Sequence, residues 1–435
     1  MSLRTTRRSL LVGIPATLAA AGLGRYARPL YAEPGDTPHR FVSLYFNGAW
    51  DVLLGLDPRD PGSNPTGIDL GTDRLPAAFR TPTPWSFAGQ EALIGPTMDP
   101  LFEHRDVMTL FRGVNMNTVA HPTGRAYVNT WLPPAGVVPK GDSLGTRMAA
   151  ATNYDDFLLP NVSIGVPSFN LSYSPAVTGI GLGRATDATD LLQPLGDSLD
   201  LETAALLADA RDASRSCVGA GHSNPPSVAV EIARERVQQL LGMDLGPAFD
   251  FDLDEALLTR YGIENAAVST DPGVVAATIW RLLDLGLTTS VTAQLQRGLD
   301  THDNRWETDQ PQLQQEGFAA VATLLADLRT TDPNLENTTV VVHSEFARTP
   351  TINGRGGRDH WFANSILVFG GGLTGGVFGA SVPDTLGLTN VDLDSGLPSE
   401  DGEVIRPEHI GATLAHARGL EIDEFRVDPL TNWIA

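Results

Sequence analysis

Short runs of β-branched and aromatic residues recur along the chain, and longer segments with helical periodicity separate them. Apolar runs typical of buried strands occupy residues 40–46, 107–112, 161–166, 290–295, 338–342 and 366–369. Helical spacing of apolar residues is found at residues 92–104, 141–151, 274–287, 310–328 and 407–418. Because strands alternate with helices, the pattern predicts an α/β protein with a mostly parallel central sheet.

The chain of 435 residues is long enough for two or three average domains, but the pattern favours one large domain from residue 33 to residue 435. Residues 56–84 are rich in Pro, Gly and Asp, a composition that predicts a long surface loop. Segments rich in Ala, Leu and Arg between about residues 186 and 262 predict a helical insertion or cap.

The first 32 residues differ from the rest of the chain because they contain no acidic residue. Arg7 and Arg8 precede an apolar segment at residues 10–24, which is shorter than the roughly 20 apolar residues that a membrane span needs. The pattern predicts a twin-arginine signal peptide at residues 1–32, with an ordinary secretory signal or a retained anchor as the alternatives. We therefore expect export by the twin-arginine machinery, a periplasmic or secreted mature protein, and no stable membrane span in that mature form.

The charge of the chain excludes one class of partner. With 52 acidic and 30 basic residues the formal net charge is -22, and no segment concentrates positive charge, so nucleic acid would be repelled. Lys140 is the only lysine. A site that binds anions must therefore use arginine, whose planar fork suits phosphate and carboxylate oxygens.

Polar side chains surround the strand predicted at residues 338–342. Glu345 and Arg348 come directly after this strand, and Asp359 and His360 precede the next apolar run. In open α/β sheets, ligands bind beyond the carboxyl ends of the strands. We therefore expect Glu345, Asp359 and His360 to converge there, with oxygen and nitrogen atoms of the kind that bind metals.

Two other predicted strands end in carboxylates. Asp51 follows the strand at residues 40–46, where it is either a metal ligand or a turn-former and helix cap. Asp300 and His302 follow the strand at residues 290–295 and lie two positions apart on an irregular loop. This pair is able to hold one metal, although the same composition is common in turns.

A strand–loop–helix junction near residues 113–131 offers a candidate nucleophile. Thr118 and Thr123 flank His121 where a helix is predicted to begin, and Pro122 suits the first turn of that helix. Free backbone N–H groups at such a junction bind anions, so a Thr hydroxyl there is placed for nucleophilic attack. The alternative is that Thr118 or Thr123 only caps the helix.

Taken in order, these motifs resemble the exported bacterial family catalogued as domain of unknown function 1501, over nearly the whole chain after residue 32. The motifs that carry the resemblance are the paired arginines of the leader, the strand-ending turn at 47–51, Asp-Thr-His-Asp at 300–303, Ser-Glu-Phe-Ala-Arg-Thr at 344–349, Arg-Asp-His-Trp at 358–361 and Gly-Gly-Gly at 370–372. The family is assigned to the alkaline phosphatase and sulfatase-like superfamily. The resemblance thus implies a three-layer α/β/α fold with metals at the strand ends.

The resemblance also implies roles for the residues. One metal would be held by Asp300, His302 and His360, and a second by Asp51 and Glu345 beside the nucleophile. Asp359 would be a further ligand, and His121 and Arg348 would join Thr118 and Thr123 as catalytic residues. Mixed carboxylate and imidazole ligands suit zinc or manganese, and calcium or magnesium would be the other candidates.

The chain departs from the family pattern at one position that matters for mechanism. Ala120 stands where the resemblance leads us to expect a serine nucleophile before His121. The predicted function is a metal-dependent hydrolase of phosphate or related esters, acting on a small molecule or a component of the cell envelope. The alternative function is a non-catalytic binding protein of the cell envelope that keeps the same fold.

Overall fold

The computed structural model describes residues 38–188 except 64 and 88, residues 236, 239, 240 and 243, and residues 245–435. The predicted signal peptide and most of the predicted helical insertion lie outside these described residues. Within the described part of the chain, no helix is long and apolar enough to cross a membrane.

The described residues form one large sheet of eight strands and two small two-stranded sheets. In chain order the strands are β1 (Arg40–Phe46), β2 (Thr83–Phe87), β3 (Gln90–Ile94), β4 (Met108–Asn115), β5 (Asn161–Ile164), β6 (Ile180–Leu182), β7 (Ser290–Gln296), β8 (Thr338–Ser344), β9 (Ala347–Arg348), β10 (His360–Trp361), β11 (Ala363–Gly370) and β12 (Gly376–Phe378). The α-helices described are α1 (His121–Thr130), α2 (Leu144–Ala150), α3 (Gly246–Phe249), α4 (Glu255–Tyr261), α5 (Pro272–Asp284), α6 (Trp306–Arg329) and α7 (Pro407–His416).

The large sheet has the strand order β12-β4-β11-β8-β1-β7-β5-β6 and confirms the mostly parallel α/β prediction. Strand β1 pairs in parallel with both β7 and β8, whereas β11 is antiparallel to its neighbours β4 and β8. The amino end of β11 therefore lies at the same edge of the sheet as the carboxyl ends of β1, β7 and β8. This single reversal brings the segment that precedes β11 to the edge where the candidate site residues lie.

Helices cover both faces of the large sheet. Alternate residues of β1 illustrate this, because Val42 and Leu44 belong to a core cluster that includes α5 and α6, whereas Phe41 and Tyr45 belong to another that includes α1, α2 and α7. Successive side chains of a strand point to opposite faces, so the two clusters lie on opposite sides of the sheet. The described chain is thus arranged as helices, sheet and helices.

The prediction of a helix at residues 92–104 is wrong. Gln90–Ile94 forms β3, which pairs with β2 in an antiparallel hairpin, and a 3₁₀ helix follows at Pro96–Val107. Gly95 and two prolines, Pro96 and Pro100, interrupt the apolar periodicity there. Proline lacks a backbone donor and clashes with a preceding carbonyl, so an α-helix does not pass through this segment.

Candidate metal centre

The turn after β1 binds the buried carboxylate of Glu345. The backbone nitrogens of Gly48 and Ala49 donate to Glu345, at 3.1 Å from Oε1 and 3.3 Å from Oε2 respectively. Both donors have positive φ, +114° at Gly48 and 67° at Ala49, which turns successive N–H groups toward one acceptor. Burial alone would raise the pKa of Glu345, but hydrogen bonds, that from His121 foremost, hold this pKa below its ordinary value.

Two glycines allow the elements of the site to approach one another. A Cβ atom on Gly48 would lie 2.6 Å from the backbone nitrogen of Asp300, so only glycine lets the β1 turn lie against the loop after β7. A Cβ atom on Gly124 would lie 2.8 Å from the carbonyl oxygen of Glu345. The first turn of α1 therefore packs directly on the end of β8.

His121, the first residue of α1, is held by Glu345. Its Nδ1 lies 2.6 Å from Glu345 Oε1, and because the carboxylate only accepts, Nδ1 must donate. Its Nε2 is buried, has no hydrogen-bond partner among the described residues and lies 3.4 Å from Asp300 Oδ1.

His302 is held in the same way by a second carboxylate. Its Nδ1 lies 2.8 Å from Asp359 Oδ1, which also accepts from the amide of Asn353 at 3.0 Å. The hydrogen bond from His302 lowers the pKa of Asp359, so the acceptor is an ionised carboxylate. His302 Nε2 points toward Asp300 Oδ1, at 3.0 Å.

His360 completes the cluster with a backbone acceptor. Its Nδ1 lies 2.8 Å from the carbonyl oxygen of Val119, which can only accept. Its Nε2 lies 3.3 Å from Asp300 Oδ1 and 2.9 Å from His302 Nε2. Burial, reinforced by the charge of Arg348, lowers the pKa of His360 and favours its neutral form.

The orientations of these rings bring three Nε2 atoms together. All three Nδ1 atoms donate outward, so each ring turns its Nε2 toward the carboxylate of Asp300. In neutral rings the two Nε2 lone pairs 2.9 Å apart would repel, and a cation among them, either a proton or a metal ion, would relieve that repulsion. Ligand atoms of His121, Asp300 and His360 lie within 4.8 Å of one another, close enough to hold a metal ion.

Outward hydrogen bonds from Nδ1 are also what metal-binding histidines make in proteins, because such partners fix the ring and its tautomer. Three imidazoles and one carboxylate form a donor set suited to zinc, and less well to magnesium or calcium, which prefer oxygen. The residues present therefore fit a divalent transition metal.

Arg348 fixes Asp300 and the surrounding turns. Its guanidinium is fully buried and donates to Asp300 Oδ1 at 2.6 Å, to the carbonyl of Leu299 at 2.9 Å and to that of Ala49 at 3.0 Å. Burial acts against the charge of Asp300, yet the hydrogen bond and charge of Arg348 hold its pKa well below the ordinary value. The contacts of Arg348 are those of a positioning residue.

The structure places Asp51 behind the cluster. Its Oδ2 lies 2.8 Å from both Arg358 Nε and Trp306 Nε1, and its Oδ1 accepts from the backbone nitrogen of Leu53 at 3.0 Å. The carboxylate is fully buried and caps the 3₁₀ helix Val52–Leu54, the structural role that the sequence left open. A second metal between Asp51 and Glu345 remains a prediction that these contacts do not favour.

The two threonines show no sign of activation. Thr118 Oγ1 accepts from the backbone nitrogen of Ala120 at 3.2 Å, in the turn that precedes α1, and Thr123 lies in the first turn of that helix. Ala120 is the N-cap of α1, so the alternative that one of the threonines caps this helix is wrong. Among the described residues, no hydrogen bond joins either hydroxyl to Glu345 or Asp51.

The sequence did not reveal that Glu345 and Asp359 orient histidines. Only their distances to those rings reveal this role.

Comparison with known proteins identifies the family of the chain. A family model described as "Protein of unknown function (DUF1501)" matches residues 39–395, most of the chain. The protein therefore belongs to this family. No curated protein matches the sequence.

Two solved structures are distantly similar in shape. One is the crystal structure of Ps i-CgsB in complex with k-i-k-neocarrahexaose, with a TM-score of 0.37 and 9% identity, covering 91% of this chain and 76% of the other. The second is Ps i-CgsB alone, with a TM-score of 0.39, 8% identity and the same coverage. A likeness of this size carries no inference about activity or a closer fold relationship.

Proposed function

We propose that this protein is an exported, metal-dependent hydrolase of phosphate or related esters with an alkaline-phosphatase-like fold. The observation that carries the proposal is the convergence of three Nε2 atoms, from His121, His302 and His360, on the carboxylate of Asp300. A divalent metal bound there would supply Lewis-acid chemistry, polarising an ester oxygen and lowering the pKa of water. The paired arginines of the leader, Arg7 and Arg8, support export to the periplasm or beyond.

The protein's own residues prepare this edge of the sheet for such chemistry. Glu345, Asp359 and the Val119 carbonyl accept from the Nδ1 atoms of the three imidazoles, so each ring turns its Nε2 toward Asp300. Arg348 keeps Asp300 ionised and in place. Asp300 is half-exposed, so a substrate arriving from solvent has access to the cluster.

Water is the better candidate for the attacking group. Ala120 offers no hydroxyl, and the Thr118 hydroxyl is engaged with the backbone of the same turn. A protein nucleophile needs an adjacent base or a lowered pKa, and neither threonine has a hydrogen bond that would provide one. We therefore expect no covalent intermediate on Thr118 or Thr123.

The test is hydrolysis of a panel of phosphate monoesters, phosphate diesters, sulfate esters and phosphonate esters by the zinc-loaded protein. Asp300→Asn should abolish turnover, whereas Asp303→Asn should not. Asp303 lies three positions along the same loop but pairs with exposed Arg305 instead. If no ester is cleaved above the Asp300→Asn background, the non-catalytic binding protein replaces the hydrolase.

A further inference from the structure

A second polar cluster lies beside the metal centre and contains two arginines. Arg125 Nη2 donates to Asn47 Oδ1 at 3.2 Å, and the Asn47 amide nitrogen lies 2.8 Å from one end of the Gln294 amide. The other end of that amide lies 3.1 Å from Arg297 Nη2. Arg125 and Arg297 are both exposed, and neither pairs with a carboxylate among the described residues.

This chain of hydrogen bonds lacks an acceptor. Each amide accepts at its oxygen and donates at its nitrogen. If Asn47 accepts from Arg125, its nitrogen donates to the Gln294 oxygen, and the Gln294 nitrogen, a second donor, then faces Arg297. Guanidinium groups only donate. With arginines at both ends, one contact must set a donor against a donor whichever way the two amides are turned. An anion seated at the contact where the two donors meet would accept from both and remove this conflict.

The cluster is attached to the same elements as the metal centre. Asn47 immediately precedes Gly48, whose N–H binds Glu345. Arg125 lies one helical turn after His121 on α1, and residues four apart share a face of a helix. Arg297 lies three positions before Asp300. The segments that carry Asn47, Arg125 and Arg297 thus also carry or contact residues of the metal centre.

We infer that Arg125, Asn47, Gln294 and Arg297 form a subsite for a tetrahedral oxyanion, sulfate or phosphate, next to the metal centre. The Arg fork offers paired donors that match such oxygens. This inference rests on the proposed function and narrows the expected substrate to an ester that carries a second anionic group besides the one that is cleaved.

The subsite is testable without catalysis. Calorimetric titration of inorganic sulfate into the full chain, kept metal-free with a chelator, should detect binding that weakens about tenfold in Arg125→Gln and in Arg297→Gln, since each loses charge-assisted hydrogen bonds. Arg40→Gln is the matched control, because Arg40 lies at the opposite end of β1 and loses the same charge. Sulfate affinity should be unchanged in that variant.

The outcomes separate this inference from the proposed hydrolase. No sulfate binding, or equal weakening by all three variants, overturns the subsite whatever the enzyme assays show. Sulfate binding lost in both cluster variants supports it even if no ester is cleaved. If esters are cleaved, Arg297→Gln should raise KM about tenfold for those with a second anionic group and leave KM unchanged for those without one.

Discussion

At the scale of single residues, the role of each histidine is decided by what its Nδ1 contacts. His121, His302 and His360 each donate outward to a carboxylate or carbonyl and present Nε2 to Asp300. His343 lies one strand position from this edge and has the reverse environment, since its Nε2 meets the Ser43 hydroxyl at 2.9 Å within the core. Histidine is therefore a candidate metal ligand at positions 121, 302 and 360 and a core residue at position 343.

Glu345→Gln should weaken metal binding without changing its stoichiometry. The carboxylate orients His121, and losing such a partner costs about 10- to 100-fold in metal affinity. Zinc competition against a chromophoric chelator measures the affinity, and elemental analysis measures the stoichiometry. Glu336→Gln, at an exposed loop position, is the control. Loss of one equivalent of zinc in Glu345→Gln would instead make Glu345 a ligand of a second metal.

His343 should make stability depend on pH. Burial lowers the pKa of this ring to about 3, whereas the unfolded chain takes up the proton near 6.5. Because the pKa of His343 is lower in the folded protein than in the unfolded chain, its contribution to the free energy of unfolding is fully present above pH 6.5. This contribution is lost as the pH falls toward 3. The slope is about 1.4 kcal/mol per pH unit for one group.

Urea unfolding at pH 7.5, 6 and 5 of the wild type and of His343→Gln tests this dependence. The free energy of unfolding of the variant should fall less steeply below pH 6.5, even if the variant is less stable at pH 7.5. His416→Gln, at an exposed helix end, should keep the wild-type slope. Parallel pH curves for wild type and His343→Gln would show that the ring does not resist protonation.

At the scale of elements, the site depends on how closely α1 approaches β8. Gly124 faces the carbonyl and Cβ of Glu345, at 2.8 Å and 2.9 Å from where its own Cβ would be. Contacts this short leave no room for a methyl group. The position of His121, three residues earlier on α1, is therefore set by a packing contact rather than by the chemistry of the site.

Gly124→Ala should displace α1 and disturb the metal centre. Overpacking of this kind costs about 1–3 kcal/mol in stability. Zinc affinity should fall as well, because His121 moves with the helix. Thermal unfolding and zinc competition provide the two measurements. Gly354→Ala is the control, since its Cβ would meet open space. Unchanged zinc affinity in Gly124→Ala would show that His121 is not needed for binding.

At the scale of the whole molecule, the negative charge disfavours nucleic acid and the topology gathers the candidate site residues. The net charge is -22, and no helix in the described residues is suited to a membrane span. Seven strands of the large sheet run in one direction and only β11 runs in the other. All candidate site residues lie at one edge as a result.

Export of the whole protein should depend on its paired arginines. The twin-arginine receptor distinguishes arginine from lysine, so replacing Arg7 and Arg8 together with lysine should leave the precursor inside the cell. Fractionation of cells followed by immunoblotting measures the distribution. Arg4→Lys provides a control with the same chemistry outside the pair. Normal export of the double variant would refute this route.

The sequence by itself determined the strand and helix alternation, and it singled out Asp300, His302 and His360, because apolar periodicity and residues at strand ends are local properties. It did not determine which carboxylate would lie among the histidine rings and which would hold a histidine from outside. The Glu345–His121 contact joins residues 224 positions apart. The antiparallel direction of β11 was equally hidden, although it brings His360 to the others. Only the tertiary structure decides such contacts, since they depend on how strands pair and helices pack across the sheet.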